Sequence, residues 1–235
     1  ASLQHTLDVL DRAGLRRALR ALGPRRGAEV TWDGRTLVDF SSNDYLGLAG
    51  DPAIADAARE ALARETGAGA ARLISGNRAE HEELERALAA FKGTDAALLF
   101  GSGYLANTGA IPALAEKEDV LYADALNHAS LIDGCRLSRA EVRIYPHADA
   151  DALGAMLAAD AGRFRRRWIV TDGVFSMDGD LAPLPALVTV ARRHGAWLYV
   201  DDAHGTGGVG PDGRGVAAHF GVEDEVDVLM GTLGK

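Results

Sequence analysis

The chain has 235 residues, of which 47% are hydrophobic and 25% are charged, and this balance excludes a disordered or collagen-like protein. A net charge of −9 and a pI near 5.2 argue against a general nucleic-acid-binding protein, which would carry a basic face. No apolar run approaches the ~20 residues of a membrane span, so we expect a cytoplasmic protein without a membrane partner. The single cysteine, Cys135, excludes an internal disulfide and lies in a helical pattern, where a small core residue is expected.

The N-terminal forty residues predict an arm distinct from the rest of the chain. Leu3–Leu22 has the pattern of an Arg-rich amphipathic helix, and Asp33-Gly34 between two β-prone runs is typical of a two-residue hairpin turn. We therefore expect residues 1–40 to form a helix plus a hairpin that pack on a main sheet. Beyond them, Asp51-Pro52 indicates the start of a helix, with Asp as N-cap, and Ala79–Phe91 predicts another.

From about residue 80 onward, short apolar runs alternate with helical patterns. The candidate strands are Ala97–Phe100, Val120–Ala123, Val142–Tyr145, Trp168–Thr171, Trp197–Val200 and Val226–Met230. The candidate helices between them are Tyr104–Glu116, Ala129–Arg139, Ala150–Ala159 and Leu184–His194. This alternation predicts an α/β fold with a mostly parallel sheet flanked by helices, spanning residues 41–235. Because the last strand ends close to Lys235, we expect a large domain that is truncated at its C-terminal end.

Polar and glycine residues follow the predicted strands, at the sheet edge where ligands of open α/β proteins bind. They include the loop Gly101-Ser102-Gly103-Tyr104, then Asn127-His128, the segment Asp172–Asp180, Asp201-Asp202-Ala203-His204, and finally Thr232 and Lys235. Taken singly each signal is weak, and a lone His204 is more often a structural histidine. Asp201 and Asp202 are adjacent on a strand and point to opposite faces, which argues against one metal ion bound by both.

Lysine is the sharper signal. Only three of the 25 Lys and Arg residues are lysines: Lys92, Lys117 and Lys235. Lys92 and Lys117 end helical stretches, where solvated side chains are expected, whereas Lys235 follows a strand among small uncharged residues. An amine that forms a Schiff base must be lysine, because arginine stays protonated. With a strand-end aspartate and a glycine-opened helix, Lys235 supplies the parts of a pyridoxal 5'-phosphate (PLP) site.

A nicotinamide-binding domain is the competing interpretation. Gly101-x-Gly103-x-x-Ala106 matches the dinucleotide fingerprint, and Asp124 lies about 20 residues further on, where the ribose-binding acid belongs. Against it, the fingerprint should follow the first strand of its domain, and about a hundred residues precede this one. An NAD-dependent oxidoreductase therefore stays a remote alternative.

Five segments, in chain order, resemble motifs of the α-oxoamine synthases, which are fold-type I PLP enzymes that condense an amino acid with an acyl-CoA and release carbon dioxide. They are Ser41–Leu48, Asn127–Ser130, Asp172–Gly179, Val200–Gly205 and Gly231–Lys235. The resemblance covers the whole chain and implies PLP as the cofactor. Gly67–Arg72 departs from the pattern, because it is richer in alanine than the family's Gly/Ser loop, which leaves acyl-chain selection open.

The resemblance also implies a role for individual residues. It implies that Lys235 binds the cofactor covalently, that Asp201 pairs with its pyridine nitrogen and that His204 reaches its ring hydroxyl. It also implies that His128 stacks on the ring, that Ser176 and Thr232 hydrogen-bond the cofactor, and that the backbone N–H groups of Gly103 and Tyr104 bind its phosphate. Two further residues, Arg20 and Asn43, are implied to contact the substrate. The carboxylate-binding arginine of the family's C-terminal domain has no counterpart in these residues.

Among the family's substrate pairs, Asp180–Leu184 and His219–Gly221 favour the biotin-pathway member, which joins L-alanine to a pimeloyl thioester of coenzyme A or a carrier protein. The alternative is the member that joins glycine to acetyl-CoA. A non-catalytic scaffold subunit is a third hypothesis, which the presence of Lys235 opposes. The resemblance further implies a homodimer with the site near the subunit interface.

Overall fold

The computed structural model describes residues 2–235. These residues divide into two compact units. The N-terminal unit contains residues up to Asn43 together with Gly47–Glu60, and the larger unit contains Asp44–Leu46 together with Ala61–Lys235. The proposed boundary at residue 40, and the packing of the arm on the sheet, stay predictions.

The first helix, α1, spans Leu3–Arg12 and begins at Ser2, whose hydroxyl accepts a hydrogen bond from the backbone N–H of His5 at 3.2 Å. The predicted helix over Leu3–Leu22 was therefore too long. At Gly14 the backbone adopts the left-handed conformation (φ +65°), which ends the helix, and the following ten residues are irregular. None of the residues of α1 is buried, so packing does not support a longer helix.

The predicted hairpin is confirmed. Strand β2 (Glu29–Trp32) pairs antiparallel with β3 (Arg35–Val38), and both turn residues have positive φ, +49° at Asp33 and +72° at Gly34. Positive φ at both positions is the requirement of the turn that Asp-Gly favours. A short strand that the sequence did not predict, β1 (Arg25–Arg26), pairs with the outer side of β2.

Seven α-helices remain in the described part of the chain, of which six follow the predicted pattern closely and the last, a short one over Val216–Phe220, was not predicted. They are α2 (Pro52–Arg64), α3 (Ala79–Lys92), α4 (Gly103–Leu114), α5 (Ala129–Leu137), α6 (Ala150–Ala159), α7 (Leu184–His194) and α8 (Val216–Phe220). The carboxylate of Asp51 accepts a hydrogen bond from the backbone N–H of Ala53 at 2.8 Å, so the predicted start of α2 is confirmed.

A parallel sheet of five strands forms the centre of the larger unit, and the α/β prediction is confirmed. The strands are β4 (Val120–Asp124), β5 (Glu141–Tyr145), β6 (Arg167–Asp172), β7 (Trp197–Asp201) and β8 (Val228–Met230). They lie in the order β5-β4-β6-β7-β8. The strand that follows β4 in sequence, β5, lies on one side of it, and the later strands lie on the other side. The order in which strands are added therefore reverses at β4, which creates a topological switch point between β4 and β6.

The predicted strand at Ala97–Phe100 was wrong. This segment is irregular, and the backbone N–H of Leu99 donates to the Glu85 carboxylate at 2.8 Å rather than to a neighbouring strand. Glu85 is in turn held by Arg72, which lowers the pKa of Glu85 to about 2. An apolar run alone cannot distinguish a strand from an irregular segment.

Alternate side chains of the strands enter separate cores on the two faces of the sheet. On one face, Leu121 and Val170 pack with Ile111 of α4 and Leu131 of α5. Cys135 belongs to this core, and burial raises its pKa to about 12, which fits a packing role. The other face is covered by residues of α6, α7 and α8. Within residues 2–235, no helix combines the length and apolarity needed to cross a membrane.

Candidate active site

The carboxyl ends of the sheet strands open into a cavity of about 1260 Å³ within the larger unit. Its lining combines backbone, hydroxyl, imidazole, carboxylate and amine groups from segments far apart in sequence. Those groups belong to Gly101–Tyr104, His128, Ser130, Asp172, Asp201, His204, Thr232 and Lys235. The position agrees with the expectation that ligands of open α/β sheets bind beyond the strand ends at a switch point.

Asp201, the last residue of β7, is the buried carboxylate of this cavity, with 3% of its surface exposed. Its Oδ2 accepts a hydrogen bond from the Asn107 side chain of α4 at 2.7 Å. Its Oδ1 accepts the backbone N–H of Ala203 at 3.0 Å. Each carboxylate oxygen thus accepts a hydrogen bond, and these two bonds fix the orientation of the carboxylate at the cavity wall.

Asp172 ends β6 directly beside Asp201 in the strand register. Burial raises its pKa to about 7, the neighbouring Asp201 adds to the rise, and a hydrogen bond from the backbone N–H of His128 at 2.6 Å opposes it. The negative charge of Asp201 makes ionisation of the neighbouring, buried Asp172 less favourable, which is why the pKa of Asp172 lies near neutral pH.

Lys235 is half-buried at the same edge. Burial lowers the pKa of its amine, while the nearby carboxylates of Asp201 and Asp172 act in the opposite direction. An amine whose pKa is lowered has a larger neutral fraction near pH 7, which is what a nucleophilic lysine needs.

His128 caps the start of α5 and is linked to the buried groups by Ser130. Its Nδ1 lies 2.7 Å from the Ser130 hydroxyl and accepts the backbone N–H of Ser130 at 3.2 Å. Because a backbone N–H can only donate, Nδ1 is the acceptor nitrogen and the ring proton of the neutral imidazole is on Nε2.

His204 follows β7 and its Nδ1 lies 2.7 Å from the hydroxyl of Tyr45. Burial lowers the pKa of His204, and the positive charge of Lys235 lowers it further. The imidazole is therefore neutral at pH 7, with Nε2 left to interact with a ligand.

Helix α4 begins at the rim of the cavity. The Ser102 hydroxyl caps it by accepting the backbone N–H of Leu105 at 3.2 Å, and the first N–H groups of a helix have no partner within it. A side chain at Gly103 would place its Cβ 2.5 Å from Cγ2 of Thr232, so only glycine lets Thr232 approach the helix start. Unpaired N–H groups and the helix dipole together favour an anion at this point.

The structure brings together most, but not all, of the predicted site residues. Lys235, Asp201, His204, His128, Gly103, Tyr104 and Thr232 all line the cavity. Ser176 is exposed on the loop after β6 and is not among the lining residues. Arg20 and Asn43 belong to the N-terminal unit, where the Arg20 guanidinium lies 5.1 Å from the centre of the Trp32 ring. The roles predicted for these three residues, and for the lining residues, stay predictions.

The expectation that Lys92 is solvated was wrong. Its side chain is 11% exposed and its Nζ lies 3.1 Å from Oδ2 of Asp202, a carboxylate with no exposed surface. Lys92 also donates to the Thr206 hydroxyl and to the carbonyl of Arg214. Asp202 therefore serves an ion pair, whereas Asp201 serves the cavity, as their opposite directions on the strand predicted.

The two features that favoured a nicotinamide site do not survive in the fold. The fingerprint at Gly101 follows an irregular segment rather than a strand. Asp124 is buried, and its carboxylate is occupied by the backbone N–H groups of Leu126 and Ala148 and by His147. It is thus not placed to bind a ribose.

Four residues of this region were given no individual role in the sequence analysis, although three of them lie in its motifs: Tyr45, Asn107, Ser130 and Asp172. Asp172 carried a usable signal, because it ends a strand as Asp201 does. Asn107 carried a weaker one, as a polar residue inside an otherwise apolar helix. The partner of Tyr45, 159 positions away, could not be inferred from local sequence.

Comparison with known proteins adds a consistent set of relatives. The family model described as aminotransferase class I and II matches residues 35–235. An 8-amino-7-oxononanoate synthase of Anaeromyxobacter sp. (strain K) is 54% identical over 97% of this chain and 57% of its own length. The same-named protein of Geobacter sulfurreducens is 54% identical over 100% of this chain and 60% of its own length.

Solved structures agree with these sequence relatives. A serine palmitoyltransferase of Sphingomonas wittichii superposes with a TM-score of 0.91 at 36% identity, covering 100% of this chain and 61% of that one. A serine palmitoyltransferase of S. paucimobilis with a bound PLP–myriocin aldimine gives a TM-score of 0.88 at 34% identity, over 98% and 60% of the two chains. The chain thus spans about three-fifths of the length of these proteins.

Proposed function

We propose, because this chain belongs to the aminotransferase class I and II family, that the protein containing it is a PLP-dependent acyltransferase. The proposed reaction is the decarboxylative condensation of L-alanine with a pimeloyl thioester to 8-amino-7-oxononanoate, a step of biotin synthesis. The observation that carries the proposal is a sequence identity of 50–54% to proteins named 8-amino-7-oxononanoate synthase, over nearly the whole chain.

The groups of the cavity fit PLP. Its aldehyde requires an amine, which Lys235 offers, and its pyridine nitrogen requires a buried carboxylate, which Asp201 offers. Its phosphate suits the start of α4, where Thr232 approaches through the space left by the missing side chain of Gly103. The imidazole of His128 lines the same cavity and would face the ring.

When bound, PLP supplies an electron sink that stabilises negative charge on the α-carbon of an amino acid. The residues of the chain support that chemistry through their protonation states. The carboxylate of Asp201 favours a positive charge at a ring nitrogen close to it. Lys235, with its lowered pKa, would accept and return the α-proton of the amino acid.

Two histidines complete the proposed site. His204 would donate from Nε2 to the ring hydroxyl, since Tyr45 engages its Nδ1. His128, protonated on Nε2 as its hydrogen bonds require, would serve as a stacking surface or would polarise the ketone of the product through that proton. The two roles of His128 are compatible with the same position.

We further infer a homodimer. The lining of the cavity includes large apolar side chains that are substantially exposed, among them Leu98 at 67% and Phe100 at 40%. Exposed apolar patches around a polar site are typical of surfaces that another chain covers.

The pairing of glycine with acetyl-CoA is the weaker substrate proposal, because the relatives described above carry the name of the alanine-dependent reaction.

Borohydride reduction of the complete protein with PLP tests the cofactor assignment. We expect peptide mass mapping to locate the pyridoxyl group on Lys235, because its amine lies near Asp201 and Asp172, whereas the amine of Lys92, another lining residue, is engaged by Asp202. Lys235→Ala should remove the label, and Lys117→Arg, at an exposed position, should leave it unchanged. A pyridoxyl group on Lys92 or Lys117 of the wild-type protein contradicts the assignment.

A further inference from the structure

Asn107 is a fully buried polar residue of α4 that the proposed chemistry does not use. Every group of its side-chain amide is engaged. The oxygen accepts the Tyr199 hydroxyl at 2.8 Å, and the nitrogen donates to Oδ2 of Asp201 at 2.7 Å and to Oγ of Ser130 at 2.9 Å. A buried amide with all partners present holds its neighbours in one arrangement.

One consequence concerns the Asp201 carboxylate. The Asn107 amide and the backbone N–H of Ala203 hold one oxygen each. Rotation of the carboxylate would break both hydrogen bonds and leave the amide of Asn107, which has no exposed surface, without one of its acceptors, and an unsatisfied buried group is costly. Without Asn107, only the Ala203 contact would orient Asp201.

A second consequence concerns His128. The Ser130 hydroxyl accepts from Asn107, and its own proton is then available for Nδ1 of His128, 2.7 Å away. The orientation of the imidazole therefore depends on a group that also orients Asp201. Asn107 and His128 do not touch, yet they are connected through a single hydroxyl.

We propose that Asn107 is a positioning residue that holds Asp201 and, through Ser130, His128 in one fixed arrangement. The part of this inference that concerns the cofactor rests on the proposed function. The part that concerns the hydrogen-bond network does not, because it is visible among the side chains alone.

The first experiment uses the complete protein without cofactor and measures urea unfolding of Asn107→Ala, His128→Ala and their combination. We expect the double variant's change in unfolding equilibrium constant to differ about threefold or more from the product of the single changes. Ile111→Ala, one turn further along α4 in the adjacent core, is the matched control, and its combination with His128→Ala should be multiplicative. Multiplicative behaviour of the Asn107 pair overturns the network.

The second experiment measures PLP binding and the pH at which the visible absorption of the bound cofactor changes. We expect Asn107→Ala to weaken binding about 10- to 100-fold, which is the range for loss of a residue that orients a metal ligand. The spectral midpoint should move by about one pH unit, because Asp201 no longer fixes the charge of the ring. Ile111→Ala should change the affinity for PLP by no more than about twofold and should leave the spectral midpoint in place, although it lowers stability too.

Ser130→Ala keeps the experiment decisive if Asn107→Ala does not fold, because it removes the hydroxyl that joins Asn107 to His128 and keeps the hydrogen bond between Asn107 and Asp201. It should weaken PLP binding in the same direction as Asn107→Ala, by a smaller factor. Wild-type affinity and spectrum in both variants overturn the positioning role. Failure of the wild-type protein to bind PLP would instead reject the proposed function, and the unfolding experiment would still decide the network.

Discussion

Lys92 and Lys235 show how the same side chain acquires opposite roles from its surroundings. Lys92 faces one carboxylate, Asp202, with a hydroxyl and a carbonyl completing its three donors. Lys235 borders an open cavity, where burial lowers the pKa of its amine. The first arrangement holds the side chain in an ion pair, and the second leaves the amine accessible from the cavity.

We expect Lys92→Met to destabilise the cofactor-free protein by about 3–5 kcal/mol, because it leaves the buried Asp202 carboxylate without its charge partner. Urea unfolding at pH 7 measures the change. Arg59→Ala is the control, since Arg59 and Asp56 form an ion pair with side chains that are 72% and 68% exposed, and such pairs contribute about 0–1 kcal/mol.

Asp202→Asn added to Lys92→Met should restore part of the loss, since the unpaired charge is then gone. A loss no larger than that of Arg59→Ala would show that Lys92 is not a structural ion-pair residue.

At the residue scale, the sequence identified the groups that end strands and missed the ones that support them. Asp201 and Lys235 could be found because a parallel sheet gathers its strand ends at one edge. Asn107 is brought to Asp201 across 94 positions of chain, and the buried environment of Lys92 depends on a contact across 110 positions. No local pattern encodes such contacts.

At the scale of elements, His147 connects two parts of the sheet edge. It follows β5, and its ring lies between two carboxylates, with Nδ1 2.9 Å from Asp124 at the end of β4 and Nε2 2.9 Å from Asp180 in the loop after β6. Phe175 of the same loop contacts the ring edge to face. The imidazole thus fastens the loop that carries Ser176 to two strands.

This arrangement predicts a pH dependence. Burial alone would lower the pKa of His147, but the hydrogen bonds to Asp124 and Asp180 outweigh it and raise the pKa above the usual value. A raised pKa in the folded state means that the stabilisation is fully present below about pH 6.5, the unfolded value, and is lost as pH rises through the folded pKa.

We expect His147→Gln to lower the free energy of unfolding by about 1.5 kcal/mol more at pH 5.5 than at pH 8.5, the lower end of the range for hydrogen bonds to charged groups. Urea unfolding at both pH values measures this difference. His194→Gln, at the end of α7 and without contact to Asp124 or Asp180 in the structure, serves as control for general effects of pH. An equal loss at both pH values contradicts the charged clamp.

Elements were predicted well where a local pattern and tertiary packing agree. The bounds of α6 and α7 coincide with the predicted ones, because each presents an apolar stripe to the same core. The predictions failed where the two disagree. In the predicted helix Leu3–Leu22, only Leu3–Arg12 is helical, and none of those residues is buried in a core. In the predicted strand Ala97–Phe100, at least one backbone N–H donates to a side chain, the Glu85 carboxylate.

At the scale of the whole molecule, the choice of substrate pair can be tested by kinetics. With the complete protein, we expect L-alanine plus a pimeloyl thioester to give a higher kcat/KM than glycine plus acetyl-CoA. A methyl group is worth about 1–3 kcal/mol in an apolar pocket, so some turnover of glycine is expected. The longer acyl chain buries several more methylenes at about 0.8 kcal/mol each. Side-by-side kinetics on both pairs decide between them, and a preference for glycine and acetyl-CoA rejects the alanine proposal.

The N-terminal unit offers a finer test of the same question. Arg20 is our candidate for the distal carboxylate of the pimeloyl group, so Arg20→Ala should raise the KM for the pimeloyl thioester more than the kcat changes. Arg17→Ala, on the same irregular segment, is the matched control. An unchanged KM in Arg20→Ala removes this residue from the substrate site.

The hydrogen bond between Asn107 and Asp201 has a consequence for the order in which the protein folds. It joins groups 94 positions apart, and closing so long a loop is entropically costly until β4, β6 and β7 have paired. The carboxylate therefore acquires its fixed orientation only in chains whose sheet is assembled. A ligand that requires that orientation binds the native state and not its precursors, so during refolding its uptake would lag behind the recovery of helical circular dichroism.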